Sequence, residues 1–233
     1  MRIVRSLCNR LQEQSGLPPV RRCGTQGCRI PCWFREVCRV LGRAGGAQEA
    51  GRKTDRILQG NLNRSRTVDM LLPQIADEYD ANILILCEPY RERTARIWFM
   101  NETRTAVIWV RGAARLRIID HGVGEDYVWV KIGVITYISV YLIPNCDAVK
   151  CKRKMALLVD GIKSLPRDDV VAKDFNARAI EWEMTQTNKR GRLLLEMTAR
   201  LDLVVANTGN TATYRRPGFG NSIPDVMLTT DRK

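Results

Sequence analysis

The sequence contains no long apolar segment. Over its 233 residues, no apolar run approaches the roughly 18 residues that a membrane span needs. The N-terminal stretch MRIVRSLCNR also lacks the apolar core of a secretory signal peptide. We therefore expect an intracellular protein without a membrane partner.

Histidine is nearly absent, since His121 is the only one in the chain. This scarcity bears on the eight cysteines, which in an intracellular protein are more often free thiols or metal ligands than disulfides. The stretch CGTQGCRIPC, residues 23–32, resembles a metal site, but zinc ligands are usually paired at closer spacing and commonly include histidine. The pattern does not favour structural zinc there, and we interpret His121 as a structural or surface residue.

Acidic residues are too few to balance the basic ones. The chain carries 38 Lys and Arg against 25 Asp and Glu, a formal net charge of +13, of which +8 lies in residues 1–56. Such an excess is typical of a protein that binds a polyanion, either nucleic acid or an anionic membrane surface. Charge that serves solubility alone is the plainer alternative.

The first 54 residues lack a sustained hydrophobic period. They contain a Pro-Pro pair, a Gly-Gly pair and scattered arginines, which predicts a flexible, basic, cysteine-containing leader with a short helix around residues 32–42. We place a boundary here, with residues 1–54 as the leader and residues 55–233 as the folded domain.

Helices and strands are mixed in the folded domain. Apolar residues at helical spacing predict helices after residue 65, around 151–162 and around 190–201. Continuous apolar runs such as NILILCE, residues 82–88, predict buried strands. Four β-rich pieces follow that strand with little helix between them, which indicates antiparallel pairing. The mixture predicts a layered α/β domain rather than a simple parallel βαβ repeat.

Polar side chains of similar chemistry follow several predicted strands. In VVAKDFNARAIEW, residues 170–182, an acid and an amide two residues apart project to the same side at the end of an apolar strand. Ordinary turn chemistry accounts for any one such pair, but carboxylate, amide or phenol side chains also follow three other predicted strands. The residues are Asn61, Asn63, Glu88, Tyr141, Asn145, Asp174 and Asn176.

This set of side chains points to phosphate chemistry. Open α/β sheets place their sites at the carboxyl ends of strands, and carboxylate and amide oxygens suit Mg²⁺ or Mn²⁺. Such a cation neutralises phosphate charge while amides hold the oxygens in line with an activated water. We therefore expect one cleft in which Glu88 and Asp174 lie within about 10 Å of each other.

The order of these motifs resembles that of the endonuclease/exonuclease/phosphatase superfamily. Within it, QGNLNRS, CEPY, DFNA, RPGFGNSIPD and the RGRLLLE helix start are similar to the apurinic-endonuclease-like domain of insect-type non-LTR retrotransposons. The resemblance covers roughly residues 55–230. It implies a four-layer α/β sandwich, two packed sheets flanked by helices, that uses a divalent metal, Mg²⁺ or Mn²⁺.

The resemblance implies roles for the matching residues one at a time. Glu88 would be the main metal-binding carboxylate, with Asn61 beside the metal and the phosphate. Asn63, which stands where many relatives have Asp, would lie near the same phosphate. Tyr141 and Asn145 would contact the scissile phosphate.

Three further roles fall near the end of the domain. Asp174 would orient or deprotonate the attacking water, and Asn176 would stabilise phosphate charge beside it. Asp225, in SIPDVML, would position a histidine. The plainer interpretation of Asp225 is a solvated residue on an edge strand, where a preceding proline is common.

Two features depart from the family pattern. Lys173 precedes Asp174 where the family usually has glycine, so it can crowd the metal site, strain the backbone or lower the basicity of Asp174. The family also ends with an S-D-H segment, which His121 does not match, and the sequence reaches Lys233 before such a segment. We therefore expect a domain that is incomplete at its C-terminus, binds duplex DNA, and nicks it slowly or not at all.

The leading interpretation is a metal-dependent DNA endonuclease domain of a non-LTR retrotransposon. In an intact relative, nicking double-stranded target DNA supplies the 3′-hydroxyl that primes reverse transcription. A reverse transcriptase domain would then be its partner, and the nucleus its place of action on chromosomal DNA. One alternative is a catalytically dead, DNA-binding remnant. Another is a sugar or inositol phosphatase of the same fold, against which the basic charge and the motifs argue.

We predict that residues 1–54 exchange their amide hydrogens with little protection, because they lack the apolar period that would bury them. Hydrogen exchange followed by mass spectrometry measures this, with the fragment around residues 82–88 as the protected control. A well-protected leader that binds zinc stoichiometrically would show that the cysteines do form a metal site.

Overall fold

The computed structural model describes residues 39–41, 56–91, 97–111, 116–143, 146–165, 169–175, 177–182, 184–206, 214–216, 220–222 and 225–230. The structure describes only the backbone of residues 39–41, 169–174, 214–216, 220–222 and 225.

Two β-sheets form the centre of the protein. The strands, in chain order, are β1 (Arg39–Leu41), β2 (Ile57–Asn61), β3 (Ile83–Cys87), β4 (Trp98–Met100), β5 (Ala106–Val110), β6 (Ile118–Val123), β7 (Tyr127–Ile132), β8 (Ile135–Tyr141), β9 (Asp169–Asp174), β10 (Leu203–Val205), β11 (Tyr214–Arg216), β12 (Gly220–Ser222) and β13 (Asp225–Thr230). The first sheet has the order β1-β2-β3-β5-β4, and the second has the order β10-β13-β9-β8-β7-β6. β11 and β12 form a separate two-stranded antiparallel sheet.

Each central sheet contains one parallel pair of strands. β2 pairs in parallel with β3, and β8 pairs in parallel with β9, while the other pairings that the structure describes are antiparallel. The carboxyl ends of β2 and β3 therefore lie side by side, and so do those of β8 and β9. These are the strand ends that carry the polar residues singled out in the sequence.

Three helices cover the outer faces of the sheets. They are α1 (Arg66–Glu78), α2 (Ala148–Lys163) and α3 (Lys189–Leu201), and a 3-10 turn spans Ile180–Trp182. Each helix begins after an N-cap side chain that accepts a backbone hydrogen bond. These caps are Ser65, Asp147 and Asn188. The three predicted helices are confirmed. None of the helices in the described ranges is both long and apolar enough to cross a membrane.

The core consists of three apolar layers. They separate four layers of secondary structure, which are a helix, the first sheet, the second sheet and a pair of helices. One layer lies between α1 and the first sheet, one between the two sheets, and one between the second sheet and α2 with α3. Strand β3 shows how the sequence builds them, because side chains alternate between the two faces of a strand. Ile83, Ile85 and Cys87 enter the layer between the sheets, whereas Leu84 and Leu86 face α1.

The predicted leader contributes one strand to the first sheet. β1 pairs antiparallel with β2, with Val40 opposite Leu58. The short helix predicted around residues 32–42 is therefore wrong for residues 39–41, because pairing with an open sheet edge satisfies the backbone in a way that local propensity does not reveal. Strand pairing also protects amide hydrogens, so the low protection predicted for residues 1–54 does not apply to residues 39–41. The rest of residues 1–54 lies outside the described residues, and the domain boundary stays a prediction.

Two buried hydrogen bonds join the sheets next to the predicted site. The Ser139 hydroxyl donates to the carbonyl of Leu86 at 3.1 Å, and the Cys87 thiol lies 3.8 Å from the carbonyl of Val140. Both contacts connect the carboxyl-terminal half of β8 to the last two residues of β3. The packing of the sheets therefore fixes how the ends of these strands face each other.

We predict opposite stability changes for two isosteric substitutions on β8. Ser139→Ala removes the buried donor to Leu86 and is expected to lower the free energy of unfolding by about 1 kcal/mol. Thr136→Val is expected to raise it by about 1 kcal/mol, because the buried Thr136 hydroxyl has no hydrogen-bond partner among the described residues. Urea unfolding of both variants measures the difference; destabilisation by Thr136→Val would contradict the prediction.

Candidate active site

The turn after β2 is built by an asparagine side chain. The Asn61 carbonyl oxygen Oδ1 accepts a hydrogen bond from the backbone N–H of Asn63 at 2.8 Å, which is an Asx-turn. Asn63 and Arg64 both adopt left-handed backbone conformations, with φ of 47° and 51°. Asn61 is half-buried at the end of its strand, whereas Asn63 is exposed. The N-x-N motif thus places one amide at the rim of the sheet and turns the chain into α1.

Glu88 follows β3 directly, and both its backbone N–H and its backbone carbonyl are hydrogen-bonded. Its N–H donates to the Thr105 carbonyl at 2.9 Å, and its carbonyl accepts from the Arg64 N–H at 2.8 Å. Its φ is 49°, a left-handed conformation that is costly for any residue that carries a Cβ. Strained backbone of this kind persists where surrounding contacts impose it, and it is concentrated at functional sites.

A tyrosine of the second sheet reaches this glutamate. Tyr141 is the last residue of β8 and is 5% exposed, and its hydroxyl donates to Glu88 Oε1 at 2.5 Å. Short distances are typical of a hydroxyl that donates to a carboxylate. The contact brings together two residues that are 53 positions apart and lie at the ends of strands from different sheets.

The predicted acids of the second sheet lie beside Tyr141 in the strand register. Asp174 is the Cα partner of Tyr141 across the β8–β9 pair, and Asp225 is the Cα partner of Asp174 across the β9–β13 pair. The backbones of the three residues therefore form one row at the rim of this sheet. The directions of the Asp174 and Asp225 side chains lie outside the described structure, so their convergence with Glu88 stays a prediction.

Two predicted site residues, Asn145 and Asn176, lie outside the described residues. The described residues on either side of positions 144–145 are contacted by an arginine of the RGRLLLE motif. The Arg190 guanidinium donates from Nη2 to the carbonyls of Ile143 at 2.6 Å and Cys146 at 3.4 Å. The motif's arginine thus ties the start of α3 to the segment that carries Asn145.

The glycine of the same motif is required by close packing. A Cβ at Gly191 would lie 2.0 Å from the carbonyl oxygen of Arg178. The close contact between Gly191 and Arg178 is stabilised by Asn188 Oδ1, which accepts hydrogen bonds from the N–H groups of both residues. The motif therefore has a structural explanation in the docking of α3.

Lys173 does not require the conformation that glycine would provide. It lies within β9 as the partner of Val140 on one side and of Val226 on the other, and it is not among the residues with positive φ. The backbone strain considered from the sequence is therefore not found. Whether the longer side chain affects Asp174 stays a prediction.

The donors at this rim fit a hard divalent cation. Glu88 is half-buried, and its second oxygen, Oε2, accepts no hydrogen bond from the residues that the structure describes. Asn61 supplies an amide oxygen at the neighbouring strand end. Within the described ranges no three His, Cys, Asp or Glu side chains form a metal-binding cluster. A cation held by Glu88 would therefore take further ligands from amides, water, phosphate or the acids of the second sheet.

The thiols and the histidine have no assigned role in this chemistry. Cys87, Cys146 and Cys151 form no disulfide. Burial raises the pKa of the Cys151 thiol above its ordinary value, although nearby Arg190 opposes the shift. His121 is exposed on β6, and its ring packs against Phe99 with centroids 4.7 Å apart.

Sequence reasoning missed a buried acid close to the site. Asp69, in the first turn of α1, is fully buried and pairs with Arg91, which lies three residues after Glu88. The available signal was its spacing, because Asp69 shares the apolar face of the helix with Leu72 and Ala76. A carboxylate at such a position indicates a specific partner.

Comparisons with known proteins identify the fold. Residues 135–233 match a family model described as endonuclease-reverse transcriptase. The endonuclease domain of TRAS1, a telomere-specific non-LTR retrotransposon, is similar over 76% of this chain and 85% of that chain, with 23% identity and a TM-score of 0.63. No curated protein matches the sequence.

More distant structures share the same architecture. A 3′-5′ exonuclease (NExo) from Neisseria meningitidis is similar over 73% of this chain and 84% of that chain, with 17% identity and a TM-score of 0.53. A mannosyl-6-phosphatase from Bacteroides thetaiotaomicron is similar over 70% of this chain and 76% of that chain, with 10% identity and a TM-score of 0.50. The predicted endonuclease/exonuclease/phosphatase fold and the resemblance to a retrotransposon endonuclease domain are confirmed.

We predict that Tyr141→Phe lowers the free energy of unfolding by about 1.5 kcal/mol, because it removes a hydrogen bond to a charged group that is partly shielded from water. Chemical denaturation measures the change. Tyr90→Phe is the matched control, since Tyr90 is two residues from Glu88 and 49% exposed. Equal effects of the two substitutions would contradict a specific bond between the sheets.

Proposed function

We propose that this chain is the endonuclease domain of a non-LTR retrotransposon and that it cuts one strand of duplex DNA with Mg²⁺ or Mn²⁺. In the intact element the nick would expose a 3′-hydroxyl for an associated reverse transcriptase domain. The contact between Tyr141 and Glu88 carries the proposal, because it joins a candidate phosphate-binding phenol to a candidate metal-binding carboxylate.

Glu88 and Asn61 are the proposed metal ligands. Glu88 Oε2 accepts no hydrogen bond from the described residues. The left-handed backbone at Glu88 fixes where its side chain leaves the chain, so the carboxylate is positioned at the rim before a metal binds. A bound cation would neutralise charge on the phosphate and lower the pKa of a coordinated water. Tyr141 keeps the carboxylate oriented for that ion by occupying Oε1.

The second sheet is proposed to supply the acid–base chemistry. Asp174, adjacent to Tyr141 in the register, would orient the attacking water and accept its proton. Asn63, Asn145 and Asn176 would donate amide hydrogens to phosphate oxygens, which holds the scissile bond in line with that water. Asp225, next to Asp174 in the register, would orient a histidine.

Double-stranded DNA is the substrate that the charge favours. The chain carries a net charge of +13. A basic protein gains affinity for DNA because its binding releases the counterions that surround the phosphates. Small sugar phosphates gain little from such a surplus, since they release few counterions. A sugar or inositol phosphatase of this fold is therefore the weaker candidate.

A catalytically dead remnant that still binds DNA is the second candidate. The observation that favours it is Lys173, which directly precedes Asp174 in β9. A lysine beside the proposed base can pair with it and lower its basicity. This candidate keeps salt-sensitive DNA binding and loses cutting.

We predict that Glu88→Ala lowers Mg²⁺-dependent or Mn²⁺-dependent nicking of supercoiled plasmid by about 100-fold or more, because it removes the proposed main metal ligand. Glu102→Ala is the matched control, since Glu102 is exposed in the turn between β4 and β5. Conversion of supercoiled to open-circular plasmid, measured with and without EDTA, gives the rates.

Fluorescence anisotropy with duplex DNA at about 50 and 200 mM salt completes the assay, because phosphate contacts weaken steeply over that range. Salt-sensitive binding without nicking would favour the remnant. Hydrolysis of sugar phosphates without DNA binding would favour the phosphatase. Nicking that is equally strong in Glu88→Ala would overturn the assigned site.

A further inference from the structure

An ion pair with a buried carboxylate connects α1 to the segment that carries Glu88. The Asp69 side chain is 1% exposed, and its Oδ2 lies 3.3 Å from Nε of Arg91, whose side chain is 61% exposed. Removing a carboxylate from water is costly unless a specific partner compensates it. An acid on the apolar face of a helix is therefore an expensive way to achieve packing alone.

The location of Arg91 suggests what the pair does. Arg91 follows Glu88 by three residues, so a contact that fixes Arg91 also restricts the backbone of Glu88. On the other side, Glu88 is held by Thr105 and Arg64 through backbone hydrogen bonds. The left-handed conformation at Glu88 needs such restraints on both sides, because its relaxed alternatives lie at negative φ.

We propose that Asp69 and Arg91 are positioning residues that hold Glu88 in its left-handed conformation and thereby set its affinity for a divalent cation. The inference deepens the proposed function and rests on it for the role of Glu88. Neither residue touches the metal in this scheme. Asp69 and Arg91 act on the metal by holding its ligand, Glu88, in place. Loss of residues that hold a metal ligand typically costs about 10–100-fold in metal affinity.

The chain contains a second ion pair on the same helix, in which the carboxylate side chain is 69% exposed and the arginine side chain 24% exposed. Asp77, near the end of α1, pairs with Arg111, which directly follows β5. This pair also joins α1 to the first sheet, but its arginine lies at the end of β5 and not in the segment that carries Glu88. Asp77→Asn therefore tests the general effect of losing an ion pair on α1.

The experiment compares Asp69→Asn with Asp77→Asn in the full chain. Asparagine keeps the shape of each side chain and removes its charge. Mn²⁺ affinity is measured by electron paramagnetic resonance, and exchange of the Arg64 and Glu88 amide hydrogens is measured by NMR. We expect Asp69→Asn to weaken Mn²⁺ binding by about 10–100-fold and to speed both exchange rates, and Asp77→Asn to change neither.

A double variant separates positioning from stability. Arg91→Gln alone leaves the buried charge of Asp69 without the guanidinium, and adding Asp69→Asn removes that charge. The double variant is therefore expected to be more stable to heat than Arg91→Gln, while its Mn²⁺ binding stays weak. Recovery of Mn²⁺ affinity together with stability would show a merely structural role and overturn the proposal. Unchanged Mn²⁺ affinity in Asp69→Asn, or exchange no faster than in Asp77→Asn, would overturn it as well.

The same measurements distinguish this inference from the proposed function. If the wild-type chain binds no Mn²⁺, or if Glu88→Ala binds it equally well, the assignment of Glu88 fails. The exchange rates then still decide whether the ion pair holds the Glu88 backbone. If wild-type binding depends on Glu88 and Asp69→Asn preserves it, the positioning inference alone fails.

Discussion

The packing of two sheets through one apolar layer is the constraint on which the candidate site depends. Ile83, Ile85 and Cys87 of β3 face Tyr137 and Tyr141 of β8 in this layer. Since alternate residues of a strand share a face, the residues that fill the layer also decide which strand ends meet at its rim. Tyr141 lies at the last position of this alternation, where its ring is buried and its hydroxyl reaches Glu88.

The rim differs from the layer because strand pairing ends there. Asn63, Arg64 and Glu88 all adopt left-handed conformations within a few residues of β2 and β3. The Arg64 N–H donates to the Glu88 carbonyl, and the Glu88 N–H donates to the Thr105 carbonyl. These backbone hydrogen bonds between loops replace the strand pairing that ends here. The apolar layer therefore supplies rigidity, and the loops beyond it supply polar groups with fixed directions, an arrangement that favours preorganised chemistry.

The same architecture serves different substrates in the proteins that resemble this one. The similar structures include a retrotransposon endonuclease domain, an exonuclease and a sugar phosphatase. A shared fold therefore does not decide between nucleic acid and sugar phosphate, because substrate choice depends on loops and surface charge. For this chain the proposal of a polyanion substrate rests on the net charge of +13.

The sequence by itself determined the α/β class, the three helices and the motif order, because periodicity and capping are local signals that need no knowledge of distant contacts. It also identified Glu88 and Tyr141 as polar residues at strand ends. It did not identify the strand at Val40, since an edge pairing depends on a partner far along the chain. Only the tertiary structure decided that Tyr141 meets Glu88 and that Asp69 pairs with Arg91. Those contacts join residues 53 and 22 positions apart, and their geometry follows from how the sheets and α1 pack.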